Sequence, residues 1–119
     1  MKRHLTNKEI EDISIAFVMS QYRGVKDVRK RDLGYDLRIG NKLIEVKGTA
    51  KSKMPYQRIF LSGRKEHEVF VNNQNRYWIY RVIGVGTGQK RIIPIEAKQI
   101  IAKREARWRA IIKKDRIRS

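Results

Sequence analysis

Two runs of alternating residues around Gly40-Asn41 constrain this chain more than any other stretch. In Tyr35-Asp36-Leu37-Arg38-Ile39, strand alternation sends Tyr35, Leu37 and Ile39 to one side and Asp36 and Arg38 to the other. In Leu43-Ile44-Glu45-Val46-Lys47, the same rule buries Ile44 and Val46 and sets Glu45 and Lys47 together on the opposite face. Glycine followed by asparagine supplies the tight turn that a hairpin requires, so the hairpin spans about Tyr35 to Gly48. Asp36 and Glu45 can then converge on one divalent cation, with the Lys47 ammonium beside it.

The rest of the chain reads as helices and strands in the order α-β-β-β-α-β-β-α, with no internal repeat. Thr6 with Glu9 three residues on is a capping box that opens a helix, with Ile10, Ile13, Ala16 and Phe17 as its apolar stripe and Gly24 ending it. Val25 to Val28 forms a short edge strand, followed by the basic turn Arg29-Lys30-Arg31. Gln57 to Leu61 is a strand, and Ser62 caps a helix that runs to about Asn73. Tyr77 to Ile83 and Arg91 to Ile95 are the last two strands, joined by Gly84-Val85-Gly86-Thr87-Gly88. Residues 96–119 read as a long basic helix with its stripe at Ala97, Ile100, Ile101, Trp108, Ile111 and Ile112. This mixture implies an α/β fold, a mixed central sheet flanked by helices, in one domain covering residues 1–119.

Charge decides which partner such a face could serve. The chain carries 29 Lys and Arg against 12 Asp and Glu, a net charge of +17 on 119 residues. That surplus attracts a phosphate backbone without selecting a sequence, and it would suit a basic assembly protein equally well. The chain has no cysteine, which excludes disulfides and thiolate metal sites, and no apolar run of signal-peptide or membrane-spanning length. A soluble, cytoplasmic protein with no membrane partner is expected.

Other patterns carry less chemistry. The glycines at 84–88 lie between two strands and lack the helix N-terminus that would hold a phosphate. His4 and His67 are far apart and have no metal-ligand spacing. Taken alone, a Glu-Val-Lys strand equally suits a solvated hairpin face. Between Tyr35 and Ile95, however, only four acidic residues (Asp36, Glu45, Glu66, Glu68) stand among twelve basic ones, and two of the four fall where a cation would need them.

Asp36, then Glu45-Val46-Lys47 on the neighbouring strand after an N-terminal helix, resembles the PD-(D/E)xK nuclease superfamily. The wording Gly34-Tyr35-Asp36, Ile44-Glu45-Val46-Lys47-Gly48, Leu61-Ser62 with a Glu-bearing helix, and Tyr77-Trp78-Ile79-Tyr80-Arg81-Val82 is similar to the nuclease-like C-terminal domains of No Vein-type proteins. Size and element order are also similar to archaeal Holliday junction resolvases. The resemblance covers about Thr6 to Ile95 and implies a restriction-endonuclease-like core. It implies that Asp36 and Glu45 hold Mg²⁺ or Mn²⁺ with the Val46 carbonyl as a further ligand. Lys47 would orient or help deprotonate the attacking water and balance transition-state charge. An acid of the first helix would complete the site; Glu9 is the choice here, with Glu11 and Asp12 open. Glu66 stands near the place where the narrower family carries a glutamate, one residue further from Leu61-Ser62.

The expected activity is metal-dependent hydrolysis of DNA phosphodiesters. The alternatives are a nucleic-acid-binding protein without catalysis on the same scaffold and a basic structural protein. The basic residues Lys51, Lys53, Lys103, Arg107, Lys114 and Arg118 are the expected phosphate contacts. A homodimer is expected, because cutting two strands calls for two sites.

Overall fold

The structure, a computed structural model, describes residues 4–52, 58–60, 63–103 and 109–112. Helix α1 (Asn7–Gln21) begins at the expected capping box: the Thr6 hydroxyl accepts from the Glu9 N–H at 3.1 Å, and Glu9 Oε1 accepts from the Thr6 N–H at 2.9 Å. Edge strand β1 (Val25–Asp27) and a 3-10 turn (Arg29–Arg31) lead to the hairpin of β2 (Leu37–Ile39) and β3 (Lys42–Gly48). Ile39 pairs with Lys42, so Gly40-Asn41 is a two-residue turn, and of these two only Gly40 has positive φ (55°), as a type II′ turn requires. Strand β4 (Arg58–Phe60) and helix α2 (Arg64–Asn72) form the crossover to β5 (Tyr77–Ile83), which lies parallel to β3. Strand β6 (Arg91–Glu96) then returns antiparallel.

These strands make a mixed five-stranded sheet in the order β1-β2-β3-β5-β6. Alternation along β3 splits its side chains between two cores. Ile44 and Val46 join Leu37, Tyr80, Val82 and the α1 residues Ile15 and Val18. Leu43 joins Tyr77, Ile79, Ile95 and Phe70 of α2. The fold is therefore α/β with a helix over each face, and no helix among the described residues is long and apolar enough to cross a membrane.

Three expectations change. Tyr35 packs with the α2-side core rather than beside Leu37, because residues 34–36 precede β2 and Gly34 turns the chain at φ 83°. Ala16 is exposed, and the buried line of α1 runs through Ser14, Ile15 and Val18. A helix over 96–119 is not what the described residues form: a 3-10 turn (Ala97–Gln99) leads to β7 (Ile100–Lys103), and β8 (Arg109–Ile112) follows. These strands pair with each other and with β4 in the order β4-β8-β7. The isoleucine doublets at 100–101 and 111–112 are β-branched and suit short strands, while their spacing also satisfies a helical stripe. Ser62, the expected cap of α2, lies outside the described residues; Gly63 occupies the cap position.

Candidate active site

Strand β3 runs past the end of β2, and that overhang creates the site. The N–H of Leu43 donates to Arg76 O at 2.9 Å and that of Thr49 to Val82 O at 2.8 Å, so odd positions turn their amides toward β5. Even positions turn away from it: Ile44 O accepts from the Asp36 N–H at 2.9 Å, and the Val46 N–H donates to Asp36 Oδ2, also at 2.9 Å. A residue's N–H and C=O share one edge of a strand, so the Val46 carbonyl faces the same open edge as the Asp36 carboxylate. Extending the Leu37↔Ile44 register by one residue sets Asp36 opposite Glu45.

Glu45 is 7% exposed and turns to the α2 face, where Glu66, 6% exposed and in the first turn of α2, meets it. Lys47 Nζ lies between them, 3.2 Å from Glu45 Oε2 and 3.0 Å from Glu66 Oε1. Gly34 lets the loop before β2 approach α2; a Cβ there would come within 2.8 Å of Val69 Cγ2. The buried Tyr77 hydroxyl ties that loop to β5, donating to Gly34 O at 3.2 Å.

Among the described residues, three carboxylates against one ammonium leave the cluster electrostatically unbalanced. Burial, and then the neighbouring Glu66 and Asp36, push the Glu45 carboxyl well above the ordinary glutamate value, with Lys47 acting the other way. Burial also raises Asp36, opposed by the Val46 N–H, and the charge of Glu11 adds to the rise. Burial works against the Lys47 charge, but Glu45 and Glu66 together hold its pKa above the ordinary lysine value. Tyr77 is kept protonated by burial and by the three carboxylates.

The cluster's three carboxylates, Asp36, Glu45 and Glu66, line a cleft of about 370 Å³ whose walls include Arg29, Leu33, Gly34, Tyr35, Arg64 and Lys65. An acidic floor under a partly basic rim suits a phosphodiester with a cation beneath it. Among the described residues no group of three His, Cys, Asp or Glu side chains is arranged to hold a metal ion. Two carboxylates and a backbone carbonyl need no third side chain, however, and Asp36, Glu45 and the Val46 edge offer hard oxygen donors. Their shared negative charge is what a divalent cation would relieve.

The structure brings Asp36, Glu45, Val46 and Lys47 together. Glu9 closes the capping box. Of the first-helix acids it is Glu11 whose charge reaches Asp36, while its own carboxylate lies 3.4 Å from Arg29 Nη1. Asp12 pairs with Lys8 at 3.1 Å and with Arg29 at 3.3 Å. Lys51 is exposed beyond β3, and Lys103 belongs to β7. Lys53, Arg107, Lys114 and Arg118 lie outside the described residues. Glu66 joins the site despite its spacing, because Arg64 rather than Ser62 opens α2. The rim cations Arg64 and Lys65 and the hydroxyl of Tyr77 were not signalled, since each stands in an ordinary helix or strand pattern. Arg29 could have been suspected from its basic turn.

A family model described as "Protein NO VEIN, C-terminal" matches residues 5–98. No curated protein and no solved structure matches the chain.

Proposed function

The chain belongs to the family of the C-terminal domain of protein NO VEIN, and from that premise and the site just described we propose that it is a metal-dependent nuclease of PD-(D/E)xK type. Its substrate is a nucleic-acid phosphodiester, DNA before RNA, and its core is restriction-endonuclease-like. The observation that carries this reading is the convergence of Asp36, Glu45 and Lys47 where β3 overhangs β2, with Asp36 and Glu45 lining a cleft that has cations at its rim.

Asp36, Glu45 and the Val46 carbonyl would hold Mg²⁺ or Mn²⁺, which supplies Lewis acidity toward the phosphate and an acidified bound water. Lys47 orients the attacking water and offsets the charge that builds on phosphorus. Released from one carboxylate, its ammonium still has the other as an anchor, so it stays beside the carboxylates while it acts. Glu66 holds Lys47 from the helix side. Arg29, Arg64 and Lys65 draw the backbone into the cleft, and Lys51 extends that surface. Lys53, Lys103, Arg107, Lys114 and Arg118 add to phosphate attraction by charge, and a homodimer supplies two sites for two strands.

A second reading is a nucleic-acid-binding protein without catalysis. It is favoured by Lys47 lying between Glu45 and Glu66, where ion pairs within the protein already offset part of the carboxylate charge. Labelled duplex, four-way junction, flap and single-stranded DNA, each incubated with Mg²⁺, Mn²⁺, Ca²⁺ or EDTA, separates the two. Cutting that needs Mg²⁺ or Mn²⁺ and is lost in Glu45→Ala establishes the nuclease. Salt-dependent binding without cutting, the same in parent and Glu45→Ala, establishes the binding protein.

A further inference from the structure

We propose that Arg81 is the anion-binding arm of this site, its guanidinium gripping the non-bridging oxygens of the phosphodiester that Asp36 and Glu45 face. The proposal rests on the nuclease reading and adds a substrate-contacting residue to it.

Position comes first. In the parallel β3–β5 ladder Glu45 is level with Ile79 and Lys47 with Arg81, so Arg81 shares the face of the cluster. Neighbouring strands lie about 4.8 Å apart. Across the sheet the order is Asp36 beyond the end of β2, Glu45 and Lys47 on β3, then Arg81 on β5. A phosphodiester lying over the end of β3 would meet carboxylates on one side and Arg81 on the other.

The chemistry of Arg81 then singles it out. The cations around the cleft are matched: Lys47 by Glu45 and Glu66, Arg29 by Asp27, Arg64 by Glu68, and Lys65 by Asp32. Among the described residues Arg81 has neither an ion pair nor a side-chain hydrogen bond, and its Nε is buried with no acceptor. On β6 it faces Ile93, which offers none. Burial opposes its charge with nothing to offset it. A guanidinium cannot shed its proton to escape that cost, and an anion that arrives with the ligand would offset it. Its planar fork fits two phosphate oxygens as a lysine ammonium cannot.

The test follows the Arg81 Nε–H resonance of the intact chain, assigned by its loss in Arg81→Lys. A short oligothymidylate is titrated in with Ca²⁺, and inorganic phosphate serves as competitor. On binding, the resonance is expected to move downfield and exchange more slowly with water. Arg81→Met should bind about tenfold more weakly or worse, because a charge-assisted hydrogen bond is lost. It should also melt no lower than the parent, because an unpaired buried charge is removed. Should the methionine chain fail to fold, Arg81→Lys takes its place and is expected to bind several-fold more weakly.

A resonance unmoved by oligothymidylate overturns the proposal, as does an Arg81→Met chain that binds like the parent but melts well below it. The titration needs no turnover, so the two readings fail separately. A parent that never cleaves but shows the shift keeps the anion arm and loses the nuclease. A parent that cleaves without the shift keeps the nuclease and loses the arm.

Discussion

Lys47 on β3 and Glu66 on α2 meet at 3.0 Å, and this contact ties the crossover helix to the strand that carries the candidate chemistry. Among the described residues Lys47 is the one cation paired within a cluster of three carboxylates, so the two residues should respond unequally to substitution. Lys47→Met leaves Asp36, Glu45 and Glu66 facing one another uncompensated and should cost about 3–5 kcal/mol of stability. Glu66→Gln keeps the shape, removes one of the repelling charges and leaves Lys47 paired with Glu45. It should cost about 1 kcal/mol or less. Urea denaturation of both variants at neutral pH checks this, and equal losses would mean that Lys47 does not hold the cluster together.

The raised carboxyl of Glu45 gives stability a defined pH dependence. Its folded pKa lies well above the ordinary 4.5, so above pH 4.5 the unfolded chain has released a proton that the folded chain still holds. Where the folded state binds more protons, stability falls as pH rises, until the folded carboxyl itself ionises. Asp36, raised from 3.8, acts in the same direction. Lys47, whose pKa is also raised, acts in the same direction at higher pH: its support for the fold is full below pH 10.5 and is lost as pH rises above that. Midpoints from chemical denaturation should therefore decline above pH 4.5 in EDTA and decline less in Glu45→Gln. A Glu45→Gln profile that declines as steeply as the parent would remove Glu45 as the cause.

Asp36 has two roles that separate by substitution. Asp36→Asn keeps an oxygen acceptor for the Val46 N–H and loses the charge, whereas Asp36→Ala loses both. Neither should cleave DNA, and both should bind it in EDTA or Ca²⁺ nearly as the parent does. Asp36→Ala should be about 1–3 kcal/mol less stable than Asp36→Asn, because a half-buried N–H loses its partner. If Asp36→Ala cleaved like the parent, the assignment of the metal site would be wrong.

How much of this was visible beforehand depends on how local each cause is. The capping box at Thr6 and Glu9, the Gly40-Asn41 turn and the alternation of Ile44, Glu45, Val46 and Lys47 are set by residues within a few positions, and these features formed as read. Tyr35 misled because alternation was extended back beyond the start of β2 to a residue next to Gly34, where the backbone turns. The stretch after Glu96 misled because isoleucine doublets satisfy two periodicities at once, and pairing with β4 is a long-range event. The companion of Asp36 and Glu45 depends on how a helix lies across the sheet, and sequence spacing cannot report that. This placement brings in Glu66 and leaves Glu9 at the capping box. Arg81 gave no local signal, since an arginine in a strand ordinarily faces solvent.

The final glycine of Glu45-Val46-Lys47-Gly48 is explained by α1 and not by the cleft. A Cβ at Gly48 would run into Ser14 Oγ and lie 3.0 Å from Ile10 Cγ2, so glycine is what allows the helix to press on the end of β3. Ser14 is fully buried there and donates to Ile10 O at 2.6 Å. Gly48→Ala should therefore destabilise the fold by about 1–3 kcal/mol through overpacking, and more if the helix cannot shift. Adding Ser14→Ala removes the nearest obstacle and should recover part of that loss in thermal denaturation. The Ser14 Cβ would still lie 3.1 Å away, so recovery stays incomplete. A glycine needed only for the chemistry of the cleft would behave differently, with Gly48→Ala folding normally and Ser14→Ala having no effect upon it.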